Sequence, residues 1–187
     1  YNASGENKTY NHSIFYEEGT ITIKKRVVTV KTNTQTHTYN GETYVGSVWG
    51  VLNMPSDDKW YLSDYTAVSD AGTYENRASV NIRDKYGRNV NNNYEFEEDF
   101  GTITVNKRSV TLRTDNYRAV YNGTEQKYWL GTVISEDTFA SGDMFISLSG
   151  TAETDVIETY NCIYEYQVVR RAGGRDVTHN YDINIEN

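Results

Sequence analysis

Apolar and polar residues alternate along several short segments of this chain, and polar or glycine-containing turns separate those segments. Ile103 and Val105 alternate with polar residues in one segment, and Val110 and Leu112 alternate with polar residues in the next. A period of two predicts β-strands that bury one face. The first pair is odd-numbered and the second is even-numbered, so one regular strand cannot bury both pairs. We therefore expect the strand phase to reset at Asn106-Lys107-Arg108.

A fourteen-residue segment occurs twice in the chain. Residues 19–32 read GTITIKKRVVTVKT and residues 101–114 read GTITVNKRSVTLRT, with nine of the fourteen positions identical. The copies lie 82 residues apart, and Tyr-Asn-Gly recurs at the same spacing, at 39–41 and 121–123. A partial third copy begins at Asp176 at a spacing of 87, so the second copy contains about five additional residues. Repetition of this kind predicts a tandem array of similar units.

These spacings divide the chain into three parts. We expect residues 1–24 to be the C-terminal strands of a preceding repeat, residues 25–106 a complete repeat, and residues 107–187 a second repeat lacking its final strand. The pattern predicts another Gly-Thr-Ile-Thr strand after Asn187. Because the chain begins without Met, we expect it to be part of a longer protein. The short basic linker at 106–108 should hold neighbouring units nearly in line.

Short strands separated by turns dominate the pattern. Asn-Gly at 40–41 and 122–123 is a turn signal, because these residues tolerate positive φ. No amphipathic helix is predicted, and we expect at most a single helical turn in the least regular stretches, 45–65 and 127–145. The pattern predicts an all-β chain of tandem small β-sandwich repeats of immunoglobulin-like type. A β-grasp-like arrangement stays open as the alternative.

Composition and charge narrow the class of protein. Hydrophobic residues make up 37% of the 187 residues, but 17 Tyr, 5 Phe and 3 Trp argue against a disordered chain. The formal net charge is −8, which disfavours nucleic acid and anionic membrane surfaces as partners. No apolar run approaches the length of a membrane span, so we expect no membrane insertion. The single cysteine, Cys162, cannot form an intramolecular disulfide, and strand alternation predicts a buried, inert thiol.

The repeated motifs resemble a known family. In chain order they are Lys-Arg-x-Val-Thr-Val, Tyr-Asn-Gly, Ser-Gly-Thr-Ala-x-Thr-Asp-Val, Thr-Tyr-x-[Asn/Cys], Gly-Arg-Asp-Val-Thr-x-Asn-Tyr-Asp-Ile and Gly-Thr-Ile-Thr-Val. Together they resemble the MBG/YDG-type tandem repeats of bacterial, mainly Gram-positive, cell-surface proteins. The resemblance covers nearly the whole chain and implies the long stalk of a wall-anchored, extracellular adhesin, with the anchor outside this sequence. The chain departs from the commonest pattern because Lys-Arg, not Pro, follows the Gly-Thr-Ile-Thr strand.

The chain has no sequence signature of an enzyme. His12, His37 and His179 have no nucleophile nearby and no metal-ligand spacing, and we find no phosphate-binding or hydrolase motif. We therefore expect no catalytic residues, no cofactor and no metal. An acidic cluster is better explained as a solvated strand edge than as a calcium site, since its spacing matches no EF-hand loop. The cluster consists of Glu95, Glu97, Glu98 and Asp99.

Aromatic residues are the strongest indication of ligand binding. They concentrate in the two irregular stretches, and aromatic faces stack on sugar rings and anchor protein interfaces. The simpler interpretation is that these rings cover the open ends of small sandwiches. The possible ligand contacts are Trp49, Trp60, Tyr61, Tyr128 and Trp129, with Tyr65 beside them.

A tandem array of β units predicts a mechanical function. The favoured function is a non-enzymatic stalk segment of a bacterial surface protein, an adhesin, whose partners are the neighbouring repeats. The alternative is a module that binds a host glycan or protein through the aromatic stretches. A covalent Lys–Asn cross-link within a unit is a further hypothesis, with Lys25 and Lys107 facing Asn93 and Asn180. The unequal ends also predict head-to-tail strand exchange between chains.

Overall fold

The computed structural model describes residues 1–13 and 15–186, and its regular structure is almost entirely β. Three short 3₁₀ turns, Thr9–Asn11, Asn91–Asn93 and Thr178–Asn180, are the only helical elements within those ranges. No helix in this part of the chain has the length and apolar character needed to cross a membrane. The all-β prediction is confirmed. Asn187, after which another strand is predicted, lies outside the described residues.

The first unit comprises residues 26–106. Its strands are β1 (Arg26–Thr32), β2 (Gln35–Thr38), β3 (Tyr44–Val45), β4 (Val48–Leu52), β5 (Lys59–Tyr65), β6 (Ala67–Val68), β7 (Gly72–Glu75), β8 (Ala78–Arg83), β9 (Tyr94–Asp99) and β10 (Thr102–Asn106). The second unit comprises residues 108–186. Its strands are β11 (Arg108–Thr114), β12 (Gln126–Lys127), β13 (Gly131–Val133), β14 (Asp143–Gly150), β15 (Ala152–Glu153), β16 (Ile163–Arg170) and β17 (Tyr181–Glu186).

The first and last strands of the first unit lie side by side and run in the same direction. β1 pairs with β9 from Arg26 opposite Tyr94, and β2 pairs with β10 as far as Thr38 opposite Asn106. Partners are 68 residues apart along both pairs, so the ladder keeps one register across a short break. The ladder spans about 43 Å at the usual rise of a parallel strand. Parallel pairing needs a long crossover connection, which the rest of the unit supplies.

β10 is the central strand at the C-terminal end of the first unit. It lies between β2 and β7, and its Ile103 and Val105 are 0% and 2% exposed. Gly101, just before β10, lies so close to the neighbouring backbone that a Cβ would be 2.6 Å from the carbonyl carbon of Asn33. Only glycine fits at this position without a shift of backbone, which explains why the Gly-Thr-Ile-Thr motif begins with one.

The second unit repeats only part of this arrangement. β11 lies between β13 and β17, as β1 lies between β4 and β9, and it pairs in parallel with β17 from Arg108 opposite Tyr181. Partners are 73 residues apart, five more than in the first unit, which equals the insertion predicted from the sequence. Residues 117–120 and 157–160, the counterparts of β2 and β7, form no strand within the described chain.

The buried apolar side chains form two hydrophobic clusters. One lies inside the first unit, where Val28, Ile82 and Tyr94 are buried and Trp60 packs against them. The other crosses the junction between the units, so burial of apolar surface opposes their separation. Its buried members are Tyr39, Ile103 and Val105 from the first unit and Val110, Ala140, Val168, Val177 and Tyr181 from the second.

The predicted change of strand phase at the junction is confirmed. Ile103 and Val105 in β10 and Val110 and Leu112 in β11 are all at most 2% exposed. β10 ends at Asn106 and β11 begins at Arg108, so the expected three-residue linker is reduced to Lys107 alone. Asn106 and Lys107 face solvent, whereas Arg108 is half-buried.

The three 3₁₀ turns have the same local geometry. Asn7, Asn89 and Asp176 each accept a hydrogen bond on the side-chain oxygen from the backbone N–H two residues later, at 3.0, 2.9 and 2.9 Å. The residue before each turn has a φ of −113°, −124° and −128°, respectively. The repeat in the sequence is therefore also a repeat of local structure at these three turns, and the first of them, Thr9–Asn11, precedes the first unit.

The structure corrects one equivalence within the repeat. Sequence spacing pairs Cys162 with Asn76, but Asn161 makes the equivalent contact. Asn76 Nδ2 donates to the carbonyl of Asn33 at 2.8 Å, and Asn161 Nδ2 donates to the carbonyl of Asp115 at 2.7 Å. Cys162 is half-buried, so the expectation of a buried thiol is wrong. Thr66 Oγ1 donates to the carbonyl of Glu75 and Thr151 Oγ1 donates to the carbonyl of Tyr160, which gives the same spacing of 85 residues. The two Thr-Tyr pairs, which are 86 residues apart, are therefore not structural equivalents.

Candidate functional site

A buried cluster of polar side chains lies where the two units meet. Tyr39, in the turn after β2, is 1% exposed, and Tyr181, the first residue of β17, is 4% exposed. Their rings form an edge-to-face pair with centroids 5.3 Å apart. Both hydroxyls donate to the same oxygen of Asp143, at 3.0 Å from Tyr39 and 2.7 Å from Tyr181. One carboxylate thus joins an aromatic ring from each unit.

Arg170 compensates the buried charge of Asp143. Its Nε lies 2.6 Å from Asp143 Oδ1, and the Asp143 side chain is fully buried. The same guanidinium donates to the Tyr39 hydroxyl and to the carbonyl of Gly41, both at 2.8 Å. Removing one partner of a buried ion pair leaves an uncompensated charge and is strongly destabilising. Arg170 therefore ties the second unit to both the side chain and the backbone of the first.

A second set of polar contacts crosses the junction. Asn180 is fully buried, and its Oδ1 accepts a hydrogen bond from the backbone N–H of Ala71 at 2.6 Å. Its Nδ2 donates to Asp70 at 3.0 Å. Arg175 also pairs with Asp70. These contacts hold the loop before β7 against the turn that precedes β17.

Burial changes the titration of the two junction tyrosines. Burial and the adjacent Asp143 raise the pKa of Tyr39 above its ordinary value. The same two causes raise the pKa of Tyr181. Both hydroxyls are therefore protonated at neutral pH and act as donors. The polar groups of the cluster bond to one another across the two units, so its chemistry suits holding the units together.

The predicted ligand contacts of the first unit lie in regular strands. Trp49, in β4, is 61% exposed, whereas Trp60, in β5, packs against the first-unit core. Tyr61 is half-exposed and has the Arg83 guanidinium 6.0 Å from its ring centroid. Tyr65 ends the same strand. Their expected position in an irregular stretch is wrong, because β4 and β5 run through it.

The predicted ligand contacts of the second unit lie between β12 and β13. Tyr128 stacks on Tyr117 with ring centroids 4.9 Å apart. Trp129 Nε1 donates to the carbonyl of Thr151 at 2.7 Å, and the Lys127 ammonium lies 5.2 Å from the Trp129 ring centroid. A groove of about 530 Å³ lies beside Trp129. Its apolar lining includes Leu112, Leu130, Val133, Phe139 and Phe145.

The residue types that bind metal ions are dispersed in the described part of the chain. No group of three or more His, Cys, Asp or Glu side chains in the described ranges is placed to hold a metal ion. His37 stacks on Tyr44 with ring centroids 4.1 Å apart. The acidic cluster lies in β9, an edge strand of its sheet, where Glu95, Glu97 and Glu98 face solvent, as predicted.

The proposed Lys–Asn cross-link finds no support in the geometry. Lys25 and Lys107 are both exposed, whereas the hypothesis requires buried lysines. Lys107 lies 3.5 Å from a carboxylate oxygen of Asp182. Asn180, the buried candidate acceptor, is occupied by its contacts to Asp70 and Ala71.

The junction cluster was not found by sequence reasoning. The repetition of Tyr-Asn-Gly was the available signal for Tyr39, and it was interpreted only as a turn. Asp143 and Arg170 carried no signal, because they are distant in the sequence and only the pairing of β14 with β16 brings them together.

No protein-family model, curated protein sequence or solved structure matches this chain.

Proposed function

We propose that the chain is a non-enzymatic stalk segment of a bacterial cell-surface protein, as its resemblance to MBG/YDG-type repeats implies. Such a segment holds a distal binding domain away from the cell and transmits tension to the wall. It needs units that resist extension and junctions that resist bending. Its partners are the neighbouring repeats of the same chain, and its location is extracellular.

The observation that carries this proposal is the parallel pairing of the first and last strands of the first unit. Tension between Arg26 and Asn106 pulls the two strands past each other along the whole ladder. The ladder hydrogen bonds are then loaded together, because no end of the ladder opens first. A unit loaded in this way resists extension better than one whose strands peel apart.

The junction supports the same proposal. The shared hydrophobic cluster and the contacts of Arg170 and Asn180 join the units on both sides of Lys107. Bending at Lys107 would separate these contacts and expose the cluster to water. The junction therefore opposes independent motion of the two units, as the stalk of a surface protein requires.

The directions of the paired strands help to distinguish an immunoglobulin-like unit from a β-grasp-like one. A sandwich of the constant immunoglobulin type is built from antiparallel sheets. Each unit here combines parallel and antiparallel pairs in the sheet that contains its first strand. We infer that the β-grasp-like alternative, in which the first and last strands lie side by side, describes the repeat better than the immunoglobulin-like one.

Single-molecule pulling tests the mechanical proposal. In a Cys162→Ser background, handles attached at Lys25→Cys and Lys107→Cys load the ladder of the first unit in shear. Handles at Val27→Cys and Glu95→Cys, which replace two residues paired in register, peel the same ladder from one end. We expect the shear geometry to unfold at a several-fold higher force. Equal forces in the two geometries would contradict the stalk proposal.

A second candidate function is binding of a host glycan or protein. The groove beside Trp129 favours it, because the groove combines an aromatic ring, an apolar lining and the Lys127 ammonium. Trp49 adds a second exposed ring on the first unit.

A glycan array tests this second candidate. Binding by the wild-type chain that Trp129→Ala abolishes would support the groove, and loss with Trp49→Ala would place the contact on the first unit. Tyr86→Ala is the matched control, since Tyr86 is 72% exposed and lies in a turn outside both regions. No binding by the wild-type chain would contradict glycan binding, and equal binding by all three variants would contradict a role for Trp129 and Trp49.

A further inference from the structure

Residues 19–23 have the sequence of a buried strand but lie in solvent. They read Gly-Thr-Ile-Thr-Ile and match residues 101–105 at four of five positions. Ile21 and Ile23 are 92% and 91% exposed, whereas their counterparts Ile103 and Val105 are buried in the first unit. The segment forms no strand within the described chain. Its apolar face therefore lacks the neighbours that bury the same sequence elsewhere in the molecule.

The second unit offers the two edges between which such a strand lies. In the first unit, β10 pairs with β2 and β7 on its two sides. The counterparts of those strands, residues 117–120 and 157–160, form no strand, and apolar side chains there are exposed. Val120 is 87% exposed and Ile157 is 61% exposed. Residues 117–120 and 157–160, which should pair with an added strand, are thus exposed, and so is the segment at 19–23 that would supply that strand.

Part of the binding surface for this strand is already formed in the second unit. In the first unit, Asn76 holds the backbone of Asn33 beside Gly101, and the Asn76 N–H donates to the Gly101 carbonyl at 2.9 Å. Asn161 holds the backbone of Asp115 in the same way, at 2.7 Å. The N-terminal end of the added strand would therefore pack against backbone at Asp115 and Asn161 that is already held in place.

The N-terminal faces of the two units are also chemically matched. On the second unit, Arg108 Nε donates to the carbonyl of Thr138 at 2.5 Å. On the first unit, Arg26 Nε donates to the carbonyl of Asn53, also at 2.5 Å. The Tyr181–Asp143 pair has its counterpart in the hydrogen bond from Tyr94 to Asp58.

The C-terminal face of the second unit likewise repeats that of the first. Tyr121 and Asp155 stand where the first unit has Tyr39 and Asp70. One difference weakens the match. On the first unit, which would pack against this face, Asp84 occupies the position that Arg170 has on the second unit, so a contact between copies lacks the cation of the Arg170–Asp143 pair. A contact between copies should therefore be weaker than the junction inside one chain.

We propose that residues 19–23 of one copy of this chain add as a strand between residues 117–120 and 157–160 of a second copy. The first unit of the donor then packs on the second unit of the acceptor as the two units pack within one chain. The contact joins two different surfaces, so it propagates into open, head-to-tail assemblies. The proposal depends on the structural repeat and does not depend on a stalk function.

The same chain cannot supply this strand to itself. Ile23 lies three residues before Arg26, where β1 begins at the far end of the first-unit ladder. Three extended residues span about 10 Å, whereas the ladder alone spans about 43 Å. Only another copy can bring residues 19–23 to the second unit.

Sedimentation and light scattering over a wide concentration range test the proposal. The wild-type chain should increase in mass with concentration, and the double variant I21D/I23D should associate more than about tenfold more weakly, because burying an unpaired carboxylate is costly. Phe15→Asp is the matched control, since Phe15 is 92% exposed in the same segment but lies outside the strand. This control should associate as the wild type does.

A peptide of residues 17–25 provides a second measurement. It should dissociate the assemblies and raise the melting temperature of I21D/I23D, whereas a scrambled peptide should do neither. A monomeric wild-type chain at every concentration, association undiminished in I21D/I23D, or no effect of the peptide would overturn the proposal. Pulling on single molecules requires no association, so a failure here leaves the stalk proposal standing, and the reverse also holds.

Discussion

The two units share their sequence motifs but differ at their C-terminal ends. In the first unit, β10 lies between β2 and β7, and Tyr39 beside it is 1% exposed. In the second unit the corresponding segments form no strand, and Tyr121, the counterpart of Tyr39, is 61% exposed. Strand formation at these positions therefore depends on a partner strand and a neighbouring unit, and local sequence is not sufficient for it.

The largest expected effect comes from changing the same isoleucine in the two copies of the Gly-Thr-Ile-Thr motif. Ile103→Ala should lower the free energy of unfolding by about 2–5 kcal/mol, because it leaves a cavity in the junction cluster. Ile21→Ala should change it by less than about 0.5 kcal/mol at low protein concentration, because Ile21 is exposed. Urea denaturation measures both. Equal losses would show that residues 19–23 are already packed within a single chain.

A second test removes the carboxylate that joins the units. Asp143→Ala should cost about 3 kcal/mol or more, because it leaves the half-buried Arg170 without its counter-charge. Asp58→Ala, at the matched position of the first unit, should cost only about 1 kcal/mol. Among the described residues, the Asp58 carboxylate accepts a side-chain hydrogen bond from the Tyr94 hydroxyl alone. Calorimetry should show two separated transitions for Asp143→Ala alone. A single transition at the wild-type temperature would contradict the role of Asp143.

A third test concerns the two glycines that begin the motif. Gly101→Ala should cost about 1–3 kcal/mol, because its Cβ would lie 2.6 Å from the Asn33 carbonyl and force a backbone shift. Gly19→Ala should leave the stability of the monomer unchanged, as nothing lies within 4 Å of its Cβ position. Thermal melts at low concentration distinguish the two. Tolerance of Gly101→Ala would mean that β10 does not need this close approach.

The smallest expected effect is a loss of stability at high pH. The pKa of Tyr39 is raised in the folded chain, so its stabilising contribution is complete below the unfolded value of about 10 and is lost as the pH rises through the folded value. Tyr39→Phe should cost about 1 kcal/mol at neutral pH and make the decline above pH 10 shallower. Tyr121→Phe should change neither quantity. An identical alkaline decline in wild type and Tyr39→Phe would contradict this assignment.

The sequence predicted those features that local chemistry determines. The alternation of Ile103, Val105, Val110 and Leu112 predicted strands, their faces and the change of phase between them. Repeated turn residues predicted the five inserted residues, because turn chemistry depends on a few adjacent positions.

Features that depend on tertiary contacts were not predictable in this way. Asp143 and Arg170 meet only after β14 and β16 pair, and nothing in their neighbourhood marks them as a pair. Trp60, Tyr61 and Leu62 are consecutive large apolar residues, which hid the period of β5. The single-residue linker at Lys107 followed from packing of the two units, which periodicity alone does not report.

The central claim is that the two units form one rigid segment through their shared junction. Residual dipolar couplings of the backbone amides in a weakly aligned sample test this claim most directly. A single alignment tensor should fit the couplings of residues 26–106 and 108–186 together. Two tensors of different magnitude, one for each unit, would show that the units reorient independently and would contradict the claim.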